Sequence, residues 1–167
     1  MDDGGTTVSG TTSKRYVDRT GWPAGPWDDE PDKVQWQDAA TGLPCIARRT
    51  PAGFWCGYVA VPPGHPLHGT QDTYGAAEGL PAHGGITYAA GCDGDQEYGI
   101  CHKPSPGEPD DVWWFGFDCA HAWDSAPSRE FRRYPNLGPR VYRTLDYVRD
   151  QCATLALALA SEAEPRR

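Results

Sequence analysis

Asp118, Cys119, His121 and Asp124 stand within seven positions, at the end of an apolar, aromatic run that begins at Val112. Carboxylate, thiolate and imidazole are the ligand types that zinc takes, and they are also groups that move protons near neutral pH. A second imidazole, His83, sits beside two glycines that permit close backbone approach. If the strand that His83 opens lies near the run 112–117, all five side chains meet in one corner. Two chemistries then follow. His83, Asp118, Cys119 and His121 would hold a zinc ion that activates a water for attack on a phosphate or carbonyl. Without metal, Cys119 would be the nucleophile and His83 or His121 its base, which requires a lowered thiol pKa. The spacings Cys-x-His and Asp-x-x-His-x-x-Asp lack the paired two-residue spacing of a structural zinc motif. A hydrogen-bonded polar corner is the competing reading.

The elements that must position this corner can be read from periodicity. Residues 112–117 carry aromatic and branched side chains on both sides of a period-two pattern, which predicts a strand buried on both faces. Residues 43–49 and 54–61 read as a hairpin across the turn 50–53, ended by Pro62 and Pro63. Residues 85–90 and 98–102 read as two further strands. Tyr142, Leu145, Val148, Cys152, Leu155 and Leu159 recur at helical steps, which predicts one long helix starting near Pro139. The expected architecture is α+β, an antiparallel sheet of four to five strands packed by one long C-terminal helix. One helix covers one face. The second face then needs the aromatic arm, the loop 62–84, or a second subunit in a homodimer.

The domain plan follows from composition. Residues 1–15 are Gly/Ser/Thr/Asp-rich and read as a disordered tail. Residues 16–40 form a Trp- and Pro-rich extended arm, 41–160 a single domain, and 161–167 a frayed tail. Residues 125–134 read as a helical turn or two. With 20 Gly and 16 Pro, loops take up much of the chain.

Charge and apolar length bound the partners. A net charge of −8 without a Lys/Arg cluster argues against binding a nucleic-acid backbone. No apolar stretch is long enough for a membrane span. The polar start has no apolar leader core, which predicts a cytoplasmic protein whose six Cys are thiols or metal ligands. Cys92 and Cys101 are the plausible disulfide pair if the chain is exported.

Three further groups carry candidate chemistry. Residues 92–102 alternate acids like the start of a calcium loop, but Tyr98 replaces the glycine and Pro104 the glutamate such a loop needs. They read as an acidic turn with two facing thiols, or as a zinc site of Cys92, Cys101 and His102 with one more ligand. His65 and His68 flank Pro66 in a rigid loop, and His65 is placed to line a cleft with His83. Trp114 is either core or a stacking surface for a ligand ring, as a nucleotide base would use.

Several of these stretches resemble a family of uncharacterised proteins of phage and bacterial genomes. The matching pieces are 41–45 (ThrGlyLeuProCys), 56–59 (CysGlyTyrVal), 64–66 (GlyHisPro), 83–88 (HisGlyGlyIleThrTyr), 113–121 (TrpTrpPheGlyPheAspCysAlaHis) and 142–149 (TyrArgThrLeuAspTyrValArg). The resemblance implies a phage or prophage setting in the host cytoplasm. It implies no mechanism.

The function expected from these residues is a small accessory protein. Its His/Asp/Cys corner would bind or hydrolyse a small polar ligand, such as a nucleotide or a phosphorylated molecule, with zinc as the candidate cofactor. The alternative is a non-enzymatic accessory protein that binds a host protein or sequesters a small signal molecule through its Trp-rich arm.

Overall fold

The structure is a computed structural model in which residues 7–8, 11–128 and 139–164 are described. It is an α+β fold: an antiparallel sheet with one long C-terminal helix across one face. Its strands are β1 (Thr7–Val8), β2 (Thr11–Lys14), β3 (Lys33–Gln37), β4 (Pro44–Arg49), β5 (Trp55–Val61), β6 (Tyr88–Ala90) and β7 (Trp113–Asp118). Their order is β1-β2-β3-β4-β5-β7-β6, so six strands form the body and the two-residue β1 extends one edge. The sheet is larger than expected because residues 11–14 and 33–37, read as tail and arm, pair with its edge. The period-two pattern of β3 is hidden by its polar members. Residues 1–6, 9–10 and 165–167 of the expected tails lie outside the described residues. So do residues 129–134 of the expected helical turn, whose first residue, Ser125, instead ends strand β8 (Asp124–Ser125).

The paired strands β5 and β7 are buried on both faces. Trp55, Val59, Val61, Phe115 and Phe117 point to the helix side. Tyr58, Ala60 and Trp114 point to the other. Their register sets a glycine opposite an aromatic on each face, Gly57 beside Phe117 and Gly116 beside Tyr58. A Cβ on Gly57 would stand 2.4 Å from the Phe117 ring, and one on Gly116 2.4 Å from the Tyr58 ring. Each ring therefore lies flat over the backbone opposite it, where any larger residue would collide.

Helix α1 spans Leu145–Glu162 and buries Val148, Cys152, Leu155, Ala156 and Leu159 against the sheet. It begins six residues after Pro139. Val141–Tyr142 first pairs with β8 as the parallel strand β9. The Thr144 hydroxyl then accepts from the Tyr147 N–H as N-cap. The loop 62–84 packs Leu67, Ala77 and Leu80 on this same side.

The second face is covered by the segment 92–112. This corrects the expectation that the arm, the loop 62–84 or a second subunit would be needed there. Val34 and Trp36 of β3 face the helix, so Lys33, Gln35 and Gln37 face the other way. Lys33 Nζ donates to the carbonyls of Gln96, Gly99 and Cys101 at 2.8–3.0 Å. Gln35 exchanges two hydrogen bonds with the Lys103 backbone. Gln37 donates to Glu108. Ile100 and Val112 then pack beside Trp114. Residues 98–102 do not form the expected strand. A single bridge joins Asp93 to Ile100, and Cys92 and Cys101 are joined by a disulfide. The segment hooks to the sheet through side chains, so it needs no ladder.

The aromatic arm is fixed to its own domain by Arg49. This fully buried guanidinium bonds Asp32, Glu30, the Gly53 carbonyl and the Tyr142 hydroxyl. It also stacks 4.3 Å above the Trp55 ring. Arg19 donates to Asp32 and stacks on Trp22. Trp27 meets Tyr142 edge to face. A buried cation in this setting requires that many partners.

Candidate functional site

Two turns build the corner. Strand β7 ends at Asp118, whose Oδ1 accepts from the Ala120 N–H and starts a tight turn. That turn closes where the Asp124 N–H donates to the His121 carbonyl. The second turn is 82–85, closed by Gly85 N–H on the Ala82 carbonyl. It brings His83 over the end of β7.

Asp124 is the centre of the corner and is fully buried. Its carboxylate accepts from His83 Nε2 at 2.9 and 3.0 Å and from His121 Nδ1 at 3.0 Å. It also accepts from the His121 backbone N–H at 3.0 Å and from Arg143 Nε at 2.9 Å. Burial pushes its pKa up, and the hydrogen bonds from His83, Arg143 and His121 outweigh that, holding it below the ordinary carboxylate range. Asp124 is therefore ionised and can only accept.

The tautomers follow from the network. A carboxylate that only accepts requires an N–H from each ring. His83 places an N–H on Nε2, and in its neutral form its Nδ1 accepts from the Tyr147 hydroxyl at 2.7 Å. In the neutral form of His121 the proton sits on Nδ1 and Nε2 holds the lone pair. That Nε2 makes no hydrogen bond to another described residue, and the His121 side chain is 21% exposed. The His121 ring is stacked on Trp123, with centroids 4.8 Å apart and planes 10° from parallel. Its Nε2 edge lies against Gly84, where an added Cβ would stand 2.2 Å away.

The other expected site residues lie differently. Asp118 Oδ1 is 4.0 Å from His121 Nδ1, and its oxygens serve Ala120 and the Thr87 hydroxyl. Cys119 is 1% exposed and packs in the core. Burial first, and the charges near it second, push its thiol pKa far up. It is thus no activated nucleophile, which corrects that reading. His65 does not line a cleft with His83. It donates to the Leu159 carbonyl at 2.7 Å and accepts from the Leu67 N–H, tying the loop to the end of α1. Trp114 is fully buried on the opposite face of the sheet and offers no stacking surface to the corner. His68 bonds the Asp111 carbonyl. The Cys92/Cys101/His102 zinc reading is overturned by the disulfide.

Sequence reasoning missed Arg143 and Tyr147. Arg143 lies two residues before α1, outside the helix expected to begin near Pro139. The one available signal was their place in the stretch 142–149, which had been singled out only as a resemblance.

Among the described residues, His83, His121 and Asp124 are one group whose ligand atoms lie within 4.8 Å of one another. This set fits a divalent ion by donor type. It differs from the expected four, because Cys119 faces the core and Asp118 is held aside. Arg143 competes for one carboxylate oxygen of Asp124. Comparison with protein-family models, with curated proteins and with solved structures finds no match, so the likeness to phage and bacterial proteins rests on the motifs alone.

Proposed function

We propose that the chain binds and hydrolyses a small polar ligand at the His83–Asp124–His121 corner, with His121 Nε2 as general base. The observation that carries this reading is the ionised, buried Asp124 holding Nδ1–H of His121. A neutral imidazole so held keeps its lone pair on Nε2 in a fixed direction, and the carboxylate stabilises the imidazolium formed when a proton is taken. Such a base contributes about 10²–10⁴-fold in rate. Tyr147, His83 and Arg143 orient Asp124 and balance its charge. The test is a panel of chromogenic esters, phosphoesters and glycosides with the native protein, His121→Gln and Asp124→Asn. An activity lost in both variants is the expected result. Activity unchanged in His121→Gln would remove the reading.

A second reading rests on the convergence of three ligand atoms within 4.8 Å. In it, His83, His121 and Asp124 hold a zinc ion that activates water. Elemental analysis of untagged protein beside a His83→Ala/His121→Ala double variant decides it. About one metal per chain, lost in the double variant, supports it.

The Trp-rich arm is a weaker basis for a host-protein partner, because Trp22 and Trp27 are engaged by Arg19, Arg49 and Tyr142. No helix among the described residues is long and apolar enough to cross a membrane. The Cys92–Cys101 disulfide favours an oxidising compartment over the reducing cytoplasm expected from the sequence.

A further inference from the structure

Glu30 belongs to the arm and lies far in sequence from the corner, yet its carboxylate closes on the segment that carries Arg143. It is buried. Its Oε1 accepts from the Tyr142 hydroxyl at 2.6 Å and from Arg49 Nη2 at 3.2 Å. Its Oε2 accepts from the Leu145 N–H. Leu145 is the first residue of α1, where backbone N–H groups lack intrahelical partners and the helix dipole favours a negative charge. One carboxylate therefore grips residues 142 and 145 at once.

Arg143 lies between those two grips. Its Nε donates to Asp124 Oδ1 at 2.9 Å, and its guanidinium carbon lies 4.9 Å from the centre of the Tyr147 ring. Tyr142 is also held sideways, because Val141–Tyr142 pairs with Asp124–Ser125 as β9 on β8. Tyr147, two residues past Leu145, donates its hydroxyl to His83 Nδ1. The Thr144 hydroxyl accepts from the Tyr147 N–H and ties that turn to the same segment. The two side chains that reach Asp124 and His83 from here thus leave the backbone within two residues of a group bonded to Glu30.

We propose that Glu30 is a positioning residue of the corner: it sets residues 142–147 so that Arg143 and Tyr147 meet Asp124 and His83. This rests on the proposed function and adds a residue of the arm to its site. Glu30 touches none of the reacting groups and acts through Arg143 and Tyr147. A carboxylate is needed because both of its oxygens face donors. An amide in its place would turn its NH2 toward an N–H or an O–H. Oε1 has two donors and Oε2 has one, so the amide nitrogen of Glu30→Gln is expected to face Leu145. That releases the start of α1 and keeps Arg49 and Tyr142 bonded.

The test is two-dimensional nitrogen–proton NMR of the full chain. The Arg143 Nε–H signal is identified by its absence from Arg143→Lys. In Glu30→Gln that signal is expected to shift and to exchange with solvent about tenfold faster or more, as a weakened hydrogen bond to a carboxylate allows. The His83 and His121 ring signals are expected to move with it. Any turnover that His121→Gln abolishes should fall about tenfold or more in kcat, with KM little changed. The control is Ile46→Val or Ile46→Ala, on the face of the sheet away from α1, whichever matches the urea midpoint of Glu30→Gln. It is expected to leave these signals in place. Tyr142→Phe removes one donor from the same carboxylate and serves as the test if Glu30→Gln does not fold. Signals unmoved by loss of these contacts, or moved equally by the matched Ile46 variant, would overturn the proposal. The two readings fail separately. Signals that move in Glu30→Gln, with no turnover lost in His121→Gln, keep the positioning role and remove the hydrolase. Turnover lost in His121→Gln, with signals and turnover unchanged in Glu30→Gln, does the reverse.

Discussion

Gly84 lies against the imidazole of His121, and a methyl group on Gly84 would stand 2.2 Å from the ring's Nε2 and Cε1. Gly84 also has a φ of +71°, a conformation that L side chains seldom adopt. Its neighbour Gly85 has a φ of +90° with nothing near its missing Cβ. The pair therefore separates backbone strain from contact with the site. Gly85→Ala is expected to cost about 1–2 kcal/mol in stability and to leave the His121 ring signals in place. Gly84→Ala is expected to cost a similar amount and, in addition, to shift the His121 ring signals and abolish any His121-dependent activity. Two-dimensional NMR of the imidazoles, with urea titrations of both variants, checks this. Equal effects of the two variants on His121 would show that Gly84 does not position it.

Asp124→Asn tests the charge at the centre of the corner. The carboxylate's pKa is lowered in the folded chain, against an unfolded value of about 3.9. A lowered folded pKa means that the ionised form stabilises the fold. That stability is fully present above about pH 4 and is lost as pH falls through the folded value. Breaking this buried cluster is expected to cost about 3 kcal/mol at pH 7. Urea midpoints of the native protein and of Asp124→Asn are expected to differ at pH 5–8 and to converge in acid. A constant difference down to pH 2 would contradict an ionised Asp124.

How far the corner was legible depended on whether chemistry or sterics placed each residue. His83, His121 and Asp124 stood out because a core does not need them, and β7 announced itself by its aromatic run. The helix stripe was equally plain, since Val148, Cys152, Leu155 and Leu159 recur at helical steps. What stayed hidden was set by partners distant in sequence. Lys33, Gln35 and Gln37 look like solvent-facing residues until 92–112 lies across them. Arg49 looks like part of a short basic piece until Asp32, Glu30 and Tyr142 surround it. Cys119 looks reactive in sequence and is inert in place, because the strand's alternation turns it into the core.

The disulfide makes a prediction in mass. Alkylation of denatured, unreduced protein is expected to label four thiols, Cys45, Cys56, Cys119 and Cys152, and all six after reduction. Closing a loop over a sequence separation of nine residues stabilises the fold by about 2–3 kcal/mol in the chain-entropy account. A lower melting temperature of Cys92→Ser/Cys101→Ser, matched by the native chain in reductant, is the expected result. Six labelled thiols without reduction would remove the bond, and with it the argument for an oxidising compartment.

Arg49 should be the most costly single cation to remove. It is fully buried and touches two acids, Asp32 and Glu30, that are themselves nearly buried. Arg49→Met keeps much of the apolar stem and removes the charge, so packing over Trp55 largely survives. Asp32 and Glu30 then keep their charges in a site where water does not reach. The expected cost is about 3–5 kcal/mol, read as a drop in the urea midpoint. Because Asp32 keeps Arg19 while Glu30 keeps only the Tyr142 hydroxyl and the Leu145 N–H among the described residues, Glu30→Gln in the Arg49→Met background should recover part of it. Glu30→Gln alone should destabilise, since Arg49, the Tyr142 hydroxyl and the Leu145 N–H all bond that carboxylate. A double variant as unstable as the sum of the two singles would mean that Arg49 acts through its packing on Trp55 and Trp22 and not through its charge.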